Sequence, residues 1–114
     1  MDSFQMTLLF DYYGDLLTDR QRMCFDMRHN QDLSLAEIAQ ELHVSRQGVY
    51  DNLSRAEALL QNMEEKTGCV RRDLQCRKAA QVILEAARQL EKNTDQNVSQ
   101  LAHRICEAAE GLEE

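Results

Sequence analysis

One apolar row limits what this chain can fold into. Val49, Leu53, Ala56, Leu60 and Met63 recur at steps of four, three, four and three, the spacing that lines one face of an α-helix. The row predicts a single helix from Ser45 to about Lys66, ended by Thr67-Gly68 with Gly68 supplying a left-handed terminal residue. Helix breakers are scarce: 114 residues contain no proline and four glycines. Strand-type alternation of Val, Ile and Thr is absent. The chain reads as all-α.

The rest divides by the same rule. From Phe4 to Leu17 there are two apolar rows, Phe4, Leu8, Tyr12, Leu16 and Met6, Phe10, Tyr13, Leu17. A surface helix needs only one, so the second expects either a dimer mate or a place inside the chain's own core. Thr18 opens a second helix, with Gln21 completing a capping box, and it runs to about Asn30. Met23 and Met27 are i+4 neighbours on it, with Cys24 and Phe25 adding apolar surface. Asn30-Gln31-Asp32 is a polar break. Ser34 and Glu37 form another capping box, followed by Leu35, Ile38, Ala39 and Leu42. Residues 1–68 make one module, and residues 69–114 a C-terminal helical hairpin. The hairpin rows are Cys76, Ala80, Ile83, Ala87, Leu90 and Val98, Leu101, Ile105, Ala108, Leu112, with Asp95 as a cap. Its helices pack on each other or on a second chain.

Ile38 to Tyr50 is a helix-turn-helix pattern. Ala39 is small where the second helix crosses above it, and Ile38, Leu42, Val44 and Val49 fill the wedge. Ser45 caps the second helix and leaves its first turn open to a major groove. His43 stands where many such turns carry glycine, so a positive φ is expected there. The candidate DNA-binding residues are Ser45, Arg46, Gln47, Tyr50, Asn52 and Arg55. Arg can fork onto guanine and Gln onto adenine, while a capped helix start suits a phosphate.

Charge opposes this reading in part. Residues 1–68 hold 6 Lys+Arg against 12 Asp+Glu, for −6, and residues 69–114 hold 7 against 8, for −1. Phosphate contacts supply most non-specific affinity, and Asp51 lies beside the proposed reading face. The focus of positive charge is Arg20, Arg22, Arg46 and Arg55. A second reading therefore stands, an acidic helical module that docks on a basic protein partner. The short cluster Arg71, Arg72, Arg77 and Lys78 reads first as a solvated face.

Other function classes find little. There is no Gly-rich phosphate loop, and His29, His43 and His103 sit in no nucleophile motif, so no enzyme and no cofactor is implied. Cys24, Cys69, Cys76 and Cys106 lack zinc spacing and read as reduced thiols. Cys69 and Cys76, seven apart, share a face if one helix spans both. No charge-free apolar run approaches the ~18 residues of a membrane span. Met1-Asp2-Ser3-Phe4 lacks a basic start, so a cytoplasmic protein is expected.

Leu17-Thr18-Asp19-Arg20-Gln21-Arg22, with Leu35 to Ala39 after the next helix, resembles sigma-factor region 4 across roughly residues 16–58. The closer resemblance, over residues 8–66, is to the YlxM-like proteins, a small bacterial family. It rests on Leu9-Phe10-Asp11-Tyr12-Tyr13, on Leu17 to Arg22, and on Val44 to Asn52 with Gly48 at the variable place. The resemblance implies a sigma region 4-like fold, a homodimer, a regulatory role, and association with the signal recognition particle pathway. It carries nothing over for the segment from Cys69 onward.

Overall fold

The computed structural model describes residues 3–113. Met1 and Asp2, on which part of the non-basic start was read, lie outside the described residues, as does Glu114. Six helices follow in order: α1 (Ser3–Tyr13), α2 (Asp19–His29), α3 (Leu35–Leu42), α4 (Arg46–Thr67), α5 (Cys69–Glu91) and α6 (Gln96–Glu113). A 3-10 turn, Gly14–Leu16, joins α1 to the start of α2. No strand occurs among the described residues. The chain divides after Val70 into two compact units.

In the first unit α4 is the post on which α1, α2 and α3 lean. Its inner row is buried at Val49, Leu53, Ala56 and Leu60, with Met63 partly buried against the same core. Phe25 and Cys24 of α2 are fully buried beside it. Phe25 stacks on Phe10 with ring centroids 4.7 Å apart. Of the four apolar residues expected on α2, Cys24 and Phe25 make the core, Met27 packs partly buried against it, and Met23 is 45% exposed. Burial pushes the Cys24 thiol above its ordinary range, although Arg20 draws it down somewhat.

The two rows of α1 do not divide as the i+4 spacing suggests. A helix advances 100° per residue, so i+4 rows drift, and the face turned inward steps through Met6, Leu9 and Tyr13. Leu9 belongs to neither expected row. Phe4 is 77% exposed, and Leu8 and Tyr12 are half-buried. Leu16 and Leu17 lie beyond the helix, the first exposed and the second buried. Gly14 leaves room where the 3-10 turn passes Phe10: a Cβ there would lie 3.2 Å from the ring.

A polar knot ties the ends of this unit. The Tyr13 hydroxyl donates to Glu64 Oε1 at 2.7 Å and meets Thr67 Oγ1 at 2.5 Å. The same Glu64 oxygen accepts from the Val70 backbone N–H at 3.1 Å, anchoring the first turn of α5. Glu64 thus helps hold this unit together, a role that spacing in the sequence does not show. Tyr13 lies 51 residues away, where no local rule reaches, and Val70 six residues on, past the end of α4. Gly68 closes α4 at φ 63°, as its sequence position predicts.

In the second unit α5 and α6 form an antiparallel hairpin. Ser99 Oγ donates to the Glu91 carbonyl at 3.0 Å, and Asp95 accepts from the Asn97 and Val98 N–H groups as the cap of α6. The meeting face carries Leu84 and Ala87 of α5 with Cys106 and Ala109 of α6, and Ala80 and Ala102 are buried as well. Of the two expected rows only Ala80 and Ala87 are buried. Val98 is half-buried, while Cys76, Ile83, Leu90, Leu101, Ile105, Ala108 and Leu112 are exposed. The seam thus combines one large side chain, Leu84, with alanines and Cys106. No disulfide links the four cysteines, and one helix, α5, runs through both Cys69 and Cys76. No described helix is long and apolar enough to cross a membrane.

Candidate nucleic-acid interface

The site grows from three caps. Ser34 accepts from the Glu37 backbone N–H at 3.1 Å while the Glu37 carboxylate accepts from the Ser34 N–H at 3.1 Å. Those bonds to Ser34, backbone first and side chain second, hold the Glu37 carboxyl below its usual range. At the other end of α3, His43 adopts the left-handed conformation, φ 56° and ψ 45°. His43 and Val44 both donate their N–H to the Ala39 carbonyl, closing the helix as a glycine would. Arg20 of α2 adds a donor to the Leu42 carbonyl at 3.3 Å.

Ser45 then starts α4. Its hydroxyl accepts from the Gly48 N–H at 2.9 Å. A Cβ at Gly48 would lie 3.1 Å from that oxygen, so the missing side chain keeps the cap bond uncrowded. No acidic residue stands in the first turn of α4. The positive end of the helix dipole and the uncapped first-turn N–H groups are left for an anion.

Ser45, Arg46, Gln47, Tyr50 and Arg55 are exposed along the start of α4. Arg46 and Arg55 make no ion pair among the described residues. The other arginines of this unit are occupied: Arg20 at Leu42, Arg22 with Asp15 at 3.6 Å, and Arg28 at the Leu33 carbonyl. Of the four expected arginines, Arg46 and Arg55 on α4 carry no internal bond among the described residues, while Arg20 keeps its charge at a neutral carbonyl. Gln47 Nε2 donates to Asp51 Oδ1 at 3.0 Å, one turn on. Asn52 is half-buried, and its amide donates to the Gly48 carbonyl at 2.8 Å, back onto its own helix. Gln47 and Asn52 thus both carry internal bonds that spacing alone did not reveal.

A capped α3, a tight turn and an α4 with a polar, exposed first turn define a helix-turn-helix protein. A family model described as "Putative helix-turn-helix protein, YlxM / p13 like" matches residues 2–103, and the chain belongs to that family, UPF0122. A UPF0122 protein of Thermoanaerobacter sp. strain X514 is 56% identical over 71 residues, 62% of this chain and 61% of that protein. One from Acetivibrio thermocellus is 50% identical over 82 residues, 72% of this chain and 70% of the relative. One from Clostridium novyi is 38% identical over 96 residues, 84% of each. The chain thus spans about three fifths of the length of the Thermoanaerobacter relative it matches.

Proposed function

We propose that this chain is a DNA-binding regulatory protein that lays the first turns of α4 in the major groove, and that it is not an enzyme. Arg46, Gln47 and Tyr50 would meet base edges or the backbone there, Ser45 and the helix start a phosphate, and Arg55 a second phosphate. The observation that carries the reading is the pair of unengaged arginines, Arg46 and Arg55, on the capped, acid-free start of α4. The finer proposal is a cytoplasmic homodimer associated with the signal recognition particle pathway. For that association the support is the resemblance over residues 8–66.

The test is fluorescence anisotropy of a random-sequence duplex titrated with the protein at low and moderate salt. The expected result is salt-sensitive binding, weakened roughly threefold to tenfold by Arg46→Ala, in keeping with loss of a charged contact. No binding at low salt contradicts the reading.

A second reading rests on an open groove of about 510 Å³ lined by Phe10, Asp19, Arg22, Met23 and Asp26. Its apolar lining, Phe10 and Met23, with two carboxylates against one arginine, suits a basic protein segment, such as one on a component of the signal recognition particle. Binding of such a component by a protein that ignores DNA at low salt would favour it.

A further inference from the structure

The hairpin buries Leu84, Cys106 and four alanines and leaves most of its other large apolar side chains exposed. Ile83 44%, Leu90 47%, Leu101 57%, Ile105 43% and Leu112 60% are exposed. These five share one side. Ile83 stands one residue before the buried Leu84, Leu101 before Ala102, and Ile105 before Cys106. A one-residue step is the same rotation on both helices, and because the helices run antiparallel it turns both rows toward the same face.

We propose that this face of α5 and α6 is where a second copy of the chain docks, completing a four-helix bundle. Three observations support that occupant. The first is the seam itself: among the described residues its buried cluster holds one large side chain, Leu84, beside Ala87, Cys106 and Ala109. A unit of this size with so little core needs further burial. The second is area. Each half-exposed Leu or Ile leaves roughly 80 Å² uncovered, so the five leave about 400 Å² per copy. Two copies with their flanking alanines approach the ~1,200 Å² at which stable interfaces begin.

The third is symmetry with charge. On α6 the steps Leu101, Ile105, Ala108, Leu112 are four, three, four. That series reads alike in both directions, so a twofold axis sets Leu101 against the second copy's Leu112 and Ile105 against its Ala108, as an isologous contact requires. The groove along this row is lined by Leu101, Arg104, Ile105 and Ala108, with Arg104 its one charge. By the same 100° step, Glu85, Glu107 and Glu110 fall on the other side of the hairpin. Among the described residues a basic partner finds no carboxylate on this face, whereas two copies of net charge −7 can meet here without like charges opposed.

This rests on the homodimer of the preceding reading but needs no DNA. The test is sedimentation equilibrium of the full chain without nucleic acid. The wild type is expected at twice 13.2 kDa and Ile105→Glu at 13.2 kDa with helicity kept, because Ile105 is exposed in the single chain. Phe4→Glu, on the outer side of α1, is expected to stay dimeric. If Ile105→Glu loses helicity, the milder Ile105→Gln reads the mass in a folded chain: a shift toward the monomer supports the face and an unchanged dimer overturns it. A wild-type monomer up to roughly 1 mM overturns the proposal, as does a dimer that survives Ile105→Glu but is lost with Phe4→Glu.

Discussion

The two units follow the same helical periodicity and bury opposite kinds of side chain. In the first, α4 turns Val49, Leu53 and Leu60 inward, and Phe25 stacks on Phe10 behind them. In the second, alanines and Cys106 line the seam and Ile83, Leu90, Leu101, Ile105 and Leu112 stay outside. A helix-turn-helix module has enough elements to surround one post. A two-helix hairpin can cover only one side of each helix. The difference teaches that an apolar row gives the face that wants burial, and that the partners at hand decide whether it is buried within the chain.

The sharpest break of that contrast is a pair of truncations. Phe25→Ala removes a fully buried aromatic and is expected to cost ~3–5 kcal/mol, while Leu84→Ala, at a seam of small residues, is expected to cost about 2 kcal/mol. Urea unfolding followed by circular dichroism measures both. Equal costs would erase the difference between the units.

The polar knot gives a smaller effect, with a pH signature. Burial raises the Tyr13 hydroxyl above the ordinary tyrosine range. Thr67 offsets this in part, and the Glu64 carboxylate adds to it. A group raised in the folded state gives its full stability below its unfolded value, near ~10 for tyrosine, and loses it as pH rises through the higher folded value. Alkaline solution should therefore weaken the first unit. Tyr13→Phe should cost ~1 kcal/mol at neutral pH and remove its own part of that alkaline loss, leaving the part that the raised Cys24 thiol contributes. An unchanged alkaline fall in the variant, read by thermal melts across pH, would remove Tyr13 from the explanation.

The smallest effect concerns DNA. Asp51 holds Gln47 and places a carboxylate on the reading side of α4. Asp51→Asn removes one charge worth up to ~1 kcal/mol against a phosphate in water, so binding should tighten a few-fold. Weaker binding would instead make Asp51 a contact that reads a base.

What could be read in advance was local. Thr18 with Gln21, Ser34 with Glu37, Ser45, and Gly68 each act within one helical turn, and all cap as their sequence positions predict. The inner row of α4 was legible because α4 has a single narrow stripe. On α1 and in the hairpin the apolar residues are broader than one stripe, so spacing could not choose Leu9 or set the seam at Leu84 rather than Ile83. In the candidate site, the exposure of Arg46 and Tyr50 followed from the motif. The inward bond of Asn52 and the Gln47–Asp51 pair depend on rotamers, and Glu64 depends on partners brought from α1 and α5.

The most direct measurement compares the two basic regions. The slope of log binding constant against log salt for a duplex should fall by about two on changing Arg46 and Arg55 together to Ala, at ~0.9 per phosphate contact. Changing Arg77 and Lys78 of the hairpin to Ala should leave the slope unchanged. A slope that falls with the hairpin pair and not with the α4 pair contradicts α4 as the DNA-binding helix.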